Sequence, residues 1–282
     1  MIRLGLIGFP VSHSLSPKIQ NAALQACGLE GEYSLFPIAP DDMQALKALL
    51  DRVRSGEMTG FNVTIPHKQN VIRFMDELKP TAKAIGSINI IYMRGDKLIG
   101  NNTDAAGFLS DLKKFIAESP SPILGEGLGA REKSAIVLGA GGSARSVIYA
   151  LLNDLWNITI AARRIEQAQQ LAQSFATYQL PITTFTDLRL STFDRLVNTT
   201  PLGMTPNVDQ SPLPENISLS KHTKIYDLVY NPRETKLVRD ARAQGLHATT
   251  GLGMLIEQAA LGFELWTGIK LPSEIFRNAV DN

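Results

Sequence analysis

The stretch "GFNVTIPHKQN", Gly60 to Asn70, places a lysine just past the end of a strand. Phe61, Val63 and Ile65 alternate as on a half-buried strand, so Asn62 and Thr64 point to its other face. Pro66 ends the pairing, and Lys68 follows two residues later. An ammonium beside small polar groups can hold an oxygen that gains negative charge and can pass a proton to it. A solvent-facing edge with a surface lysine is the other reading, and the commoner one for a lone lysine. More polar islands lie at strand ends: Ser12, Ser14 and Ser16 in "VSHSLSP", Asn89 in "SIN", and Asn102, Thr103 and Asp104 in "NNTDAAGF". Ser16 also suits the cap of the helix that follows it, and Asp104 the cap of the next one. Ligands of open parallel sheets sit just beyond the carboxyl ends of the strands, where these islands fall.

A second chemistry is written in "AIVLGAGGSARSVIYAL". A buried strand runs into Gly139, Ala140, Gly141, Gly142 and Ser143, and an amphipathic helix follows with Ala144 at the third small position. Glycines there permit a tight turn and the close approach of a pyrophosphate, while the helix start offers N–H donors. The next strand ends "AARRIEQ", and no acidic residue precedes Glu166. An NAD site keeps a carboxylate near this point for the ribose. Arg163 and Arg164 would instead pair with a 2′-phosphate, which selects NADP.

These groups need two scaffolds. A chain of 282 residues is long for one core and predicts two domains. Strands and helices alternate over the first hundred residues, from a strand at 2–8 and a helix starting at Ser16 to a strand at 58–65, a helix from Pro66 to Phe74 and a hairpin turning at Gly95-Asp96. A Pro- and Gly-rich loop at 118–133 separates this block from a second alternating one, and two helices end the chain. The fold class is α/β with two domains: a mixed α/β substrate domain and a Rossmann-like dinucleotide domain. The expected boundaries are 1–104 with 251–282 for the first and 105–250 for the second.

A net charge of +1 gives no electrostatic reason to expect nucleic acid or an acidic membrane. No apolar run approaches the ~20 residues of a membrane span. The start reads as a first strand and not as a signal peptide. One cysteine, Cys27, excludes an intrachain disulfide and fits a reducing cytoplasm. The four histidines show no metal-ligand spacing, so no metal is expected. The partner expected is a small molecule, and a homodimer is the one protein assembly considered.

Taken in order, the motifs resemble the shikimate dehydrogenase family over nearly the whole length. "HSLSP" is His13–Pro17, "NVTxPxK" is Asn62–Lys68 and "NTD" is Asn102–Asp104. "NTTPLGM" is Asn198–Met204, "DxxYxPxxTxL" runs from Asp227 through Tyr230 and Thr235, and "MLxxQ" ends at Gln258. The resemblance implies an NADP-dependent enzyme that interconverts 3-dehydroshikimate and shikimate, with Lys68 and Asp104 as catalytic groups. It implies that Ser14, Ser16 and Tyr230 hold the substrate carboxylate, and that Thr64, Asn89 and Gln258 surround the ring hydroxyls. It places the glycine loop, Arg163, Arg164, Thr199, Met204 and Gly251 with the cofactor, and returns the last helices to the first domain. The chain departs from the family pattern at Asn101, Ile90 and Ala105, and at Ala162, Arg164 and Gln167 in the phosphate patch. A quinate and shikimate dehydrogenase using NAD, or a non-catalytic nucleotide-binding relative, are the alternatives.

Overall fold

The alternating pattern folds into two α/β units in the computed structural model, which describes residues 1–118, 133–185, 187–188, 193–214, 217 and 219–281. One unit is Met1–Gly107 with Leu255–Asn282, and the other is Phe108–Met254. Residues 119–132 of the Pro- and Gly-rich loop expected from the sequence lie outside the described residues.

The first unit contains β1 (Ile2–Gly8), α1 (Ser16–Ala26), β2 (Gly31–Pro37), α2 (Met43–Arg54), β3 (Gly60–Val63), β4 (Glu77–Leu78), α3 (Pro80–Ile85), β5 (Ile90–Arg94) and β6 (Lys97–Asn101). The sheet order is β2-β1-β3-β5-β6-β4. β1 runs parallel to β2 and β3, whereas β5 is antiparallel to β3 and β6. The tight hairpin at Gly95 forces that reversal, because parallel neighbours need a long crossover. Phe61 and Val63 pack with Leu46, Leu50 and Val53 of α2, but Ile65, the third residue of the apolar alternation, lies past the end of β3 and is exposed.

Two local expectations change. Pro66 does not start a helix: turns follow it, and then a short 3-10 helix over Asn70–Phe74. His67 is fully buried there, and its Nε2 lies 2.8 Å from the Ile38 carbonyl. A buried imidazole needs such a partner, and this tie holds the chain in a turn. Ser16 is the first residue of α1 and not its cap. Leu15 stands at the cap position without a side-chain cap bond, and Ser14 Oγ accepts the Ser16 N–H at 3.2 Å.

The last helices, α8 (Leu252–Thr267) and α9 (Ser273–Asp281), return to this unit through α8. The Trp266 indole lies against Gly60, where an added Cβ would come within 2.3 Å of the ring nitrogen, and Nε1 donates to the Ile91 carbonyl at 3.1 Å. The buried Gln20 amide of α1 donates to the Ala259 carbonyl at 3.1 Å. α8 is thereby docked on both the sheet and α1.

The second unit contains β7 (Ser134–Leu138), α5 (Gly142–Asn153), β8 (Asn157–Ala161), α6 (Ile165–Gln173), β9 (Ile182–Thr183), β10 (Arg195–Asn198), β11 (Lys224–Asp227), α7 (Lys236–Ala243) and β12 (Ala248–Thr250). Its order is β12-β11-β10-β7-β8-β9, with every pair parallel. This is the doubly wound order, and the strand sequence reverses between β7 and β10, the point where such sheets bind nucleotides.

A buried polar knot fixes the loops beyond β10 and β11. Asn198 Nδ2 donates to Asp227 Oδ1 at 2.8 Å, Val229 N–H donates to the same oxygen at 3.0 Å, and the Thr235 hydroxyl donates to Oδ2 at 2.6 Å. Burial nevertheless dominates and pushes the Asp227 carboxyl up to about 6. An acid raised on folding favours the folded state below its unfolded value, and that contribution is lost as pH rises through the folded value. We therefore expect Asp227 to lower stability between pH 4 and pH 6 by roughly 3 kcal/mol, at about 1.36 kcal/mol per pH unit. In Asp227→Asn this part of the pH dependence should vanish. Urea titrations of both proteins across that window would measure it, and parallel curves would contradict it.

Candidate active site

The turn after β3 presents Lys68 inward. The residue is 8% exposed, and its Nζ lies 2.6 Å from Asp104 Oδ2. The surface-lysine reading does not hold in this structure. Asp104 opens α4 (Asp104–Ala117), where the positive end of the helix dipole favours a carboxylate. The helix start is served by another residue: Asn102 Oδ1 accepts the Ala105 N–H at 3.2 Å. That leaves the Asp104 carboxylate to other partners.

Asn89, directly before β5, is the hub. Its Nδ2 approaches Asp104 Oδ1 at 2.8 Å, Thr103 Oγ1 at 2.9 Å and Gln258 Oε1 at 3.3 Å. Its Oδ1 accepts the Thr103 N–H at 2.8 Å. Gln258 arrives on α8, and its Nε2 donates to the Leu255 carbonyl at 2.8 Å. Residues far apart in sequence thus share one buried network in the first unit. Two charges taken out of water are costly unless their remaining valences are satisfied. Asn89 satisfies one oxygen of Asp104 and Lys68 the other. The ammonium has three donors, one of which is directed at Asp104, so it can also serve an oxygen of a ligand.

Ser14 and Ser16 form a second polar pair, hydroxyl to hydroxyl at 3.1 Å. Thr64 is half-buried at the end of β3. Asn62, on the same side of that strand, is engaged elsewhere: its amide meets the Tyr33 hydroxyl and the Asn89 carbonyl. Tyr230 is half-buried in the loop after β11, in the second unit. Thr103 is visible in the sequence as part of a polar island, but nothing there signals Tyr33.

In the second unit the glycine loop leaves β7 at the strand reversal. Gly139 has φ +110°, and a Cβ there would come 2.7 Å from Thr199 Oγ1. Thr199 in turn donates to the Leu138 carbonyl at 2.6 Å. Only glycine fits that turn. α5 begins after Gly141 with no side chain capping it, and a Cβ on Gly141 would meet open space. The free first-turn amides fit a pyrophosphate. Ala144 is fully buried, so the helix packs closely on the sheet. Ala140 and Ser143 line the same turn, and Arg163 and Arg164 stand exposed after β8. Met204 is exposed in the loop after β10, and Gly251 is buried against the Leu228 main chain.

Known proteins match the chain piece by piece and as a whole. Residues 6–91 match the shikimate dehydrogenase substrate binding domain, residues 125–234 the shikimate / quinate 5-dehydrogenase family, and residues 251–280 the shikimate 5'-dehydrogenase C-terminal domain. A shikimate dehydrogenase (NADP(+)) of Desulforamulus reducens is 41% identical, with 98% of this chain and 93% of the relative covered. One from Methanococcus maripaludis is 36% identical, with 99% and 96% covered. The crystal structure of a Thermus thermophilus shikimate 5-dehydrogenase, in complex with NADP(H) and shikimate, superposes with a TM-score of 0.85 at 34% identity, covering 100% of this chain and 99% of that one. With family matches in both units and relatives this similar over their full length, the chain belongs to the shikimate dehydrogenase family.

Proposed function

We propose that the chain catalyses the reversible, NADP-dependent reduction of 3-dehydroshikimate to shikimate, within the biosynthesis of chorismate and the aromatic amino acids. The observation that carries this reading is the buried Lys68–Asp104 pair with Asn89 and Gln258, in a chain whose relatives are named for that activity. The first unit binds substrate, and the second binds the cofactor through the uncapped start of α5 and the Arg163–Arg164 pair. An NAD-using quinate enzyme would require a carboxylate after β8, where the two arginines stand. Among the described residues no helix is long and apolar enough to cross a membrane. The single cysteine supports placement in the cytoplasm.

NADPH, when bound, supplies the hydride that turns the ring carbonyl into an alcohol. The work of the chain is to receive the charge that develops on the oxygen. Lys68 Nζ stabilises that oxygen and donates the proton that completes the hydroxyl. In the oxidation of shikimate the same nitrogen takes the proton back. Asp104, fixed through Oδ1 by Asn89, keeps Oδ2 against Nζ and so aims the ammonium. Asn89, Gln258 and Thr64 bind ring hydroxyls, and Ser14 and Ser16 hold the carboxylate. A site built to hydrogen-bond hydroxyls discriminates strongly against analogues that lack them.

Lys68→Ala should lower kcat for shikimate oxidation by about two to four orders of magnitude, with a much smaller change in KM. Stopped-time assays on protein shown to be folded by circular dichroism would check this. Retention of most of the turnover would refute the role.

The cofactor assignment makes a separate demand. Arg163→Ala should reduce kcat/KM for NADPH by about 10- to 150-fold, the worth of a hydrogen bond to a charged group, and leave NADH nearly unchanged. The pair is exposed, so the discrimination should shrink as ionic strength rises. Equal losses with both cofactors at fixed salt would remove Arg163 from the phosphate site.

A further inference from the structure

Beneath the candidate site runs a polar chain that joins it at Asn89. It begins on α1, the helix that carries Ser16. Asn21 Oδ1 accepts the Tyr33 N–H at 2.7 Å, and Asn21 Nδ2 donates to the Tyr33 carbonyl at 3.3 Å. This two-point clamp fixes Tyr33 on the edge strand β2. The Tyr33 hydroxyl then donates to Asn62 Oδ1 at 2.8 Å, and Asn62 Nδ2 donates to the Asn89 carbonyl at 3.0 Å. The same carbonyl accepts the Val63 N–H at 2.9 Å. Tyr33, Asn62 and Asn89 are 3%, 5% and 2% exposed, and Gly262 of α8 lies over the Asn62 amide.

We propose that Tyr33 and Asn62 are positioning residues that set Asn89, and through it the Asp104 carboxylate, at a fixed distance from α1 and its serines. Tyr33 packs with Leu4, Leu6 and Val11, where a phenylalanine facing a leucine in place of Asn62 would be at least as stable. Burying a phenol and a carboxamide here serves direction. The Tyr33 hydroxyl holds Oδ1, so Nδ2 must face the Asn89 carbonyl. That residue's side chain holds Asp104 Oδ1 at 2.8 Å. A displacement of about 1 Å in such a constellation costs up to a hundredfold in rate.

The inference rests on the shikimate reading given above, and one set of measurements separates the two. Tyr33→Phe removes a single oxygen and should fold. Its kcat/KM for shikimate should fall about tenfold, the consequence of a slightly misplaced carboxylate, while its affinity for NADP, measured by calorimetry, stays within about twofold of wild type. Asn62→Leu should lose a similar factor. In an Asn89→Ala background Tyr33→Phe should change kcat/KM by less than about twofold, because the relay then has nothing to aim. If Tyr33→Phe lowers the melting temperature but leaves kcat/KM intact, the residue is only a packing element and the proposal fails. If its effect is the same factor in both backgrounds, it does not act through Asn89 and the proposal also fails. A wild-type protein unable to oxidise shikimate would instead overturn the functional reading, and the relay with it.

Discussion

A buried ammonium and carboxylate, Lys68 and Asp104, govern how the first unit is built. Removing two charges from water costs several kcal/mol per ion in a protein interior, and their mutual attraction offsets this only with good geometry and satisfied second valences. The structure supplies both. The pair meets at 2.6 Å, Asn89 holds the second carboxylate oxygen, and the start of α4 contributes its dipole. Each supporting group needs its own scaffold. Asn89 is placed by the β3–β5 pairing, Lys68 by the turn that His67 ties to Ile38, and Gln258 by a helix from the far end of the chain. A hydrophobic pair would fill the same space at lower cost, so stability alone does not account for the ion pair.

The second unit shows a different constraint. Its sheet is wholly parallel, and the order of its strands leaves one crevice, between β7 and β10, where loops part to opposite faces. The glycine loop and Thr199 fill that position against each other so closely that no side chain fits at Gly139. Asp227 and Asn198 then bind the loops after the neighbouring strands from below. Holding a carboxylate there at a raised protonation value is the cost of tying two loops with one side chain.

Much of this could be read from the sequence. Periodicity gave β1, α1, the β5–β6 hairpin and the β7–α5 unit, because each is amphipathic or buried with turn residues at its ends. The motifs named Lys68, Asp104, Asn89 and Gln258 as a group. Errors came where tertiary contacts override local preference. Pro66 reads as a helix start, but the buried tie of His67 keeps the chain in turns. Ser16 reads as a cap, yet it is the first residue of the helix and its own N–H is taken by Ser14 Oγ.

Residue types and spacing by themselves determined the fold class, the glycine turn, the pair of arginines after β8 and the polar islands, since each is a property of neighbours along the chain. They left Asp104 divided between helix cap and charge partner, and Asn62 between pocket wall and edge. Only the tertiary structure decided those two. Asn102 takes the capping bond and so frees Asp104, while a tyrosine 29 positions away captures Asn62. Hydrogen-bond partners of this kind are set by which strands lie side by side and which helix covers them, and no local pattern in the sequence records that.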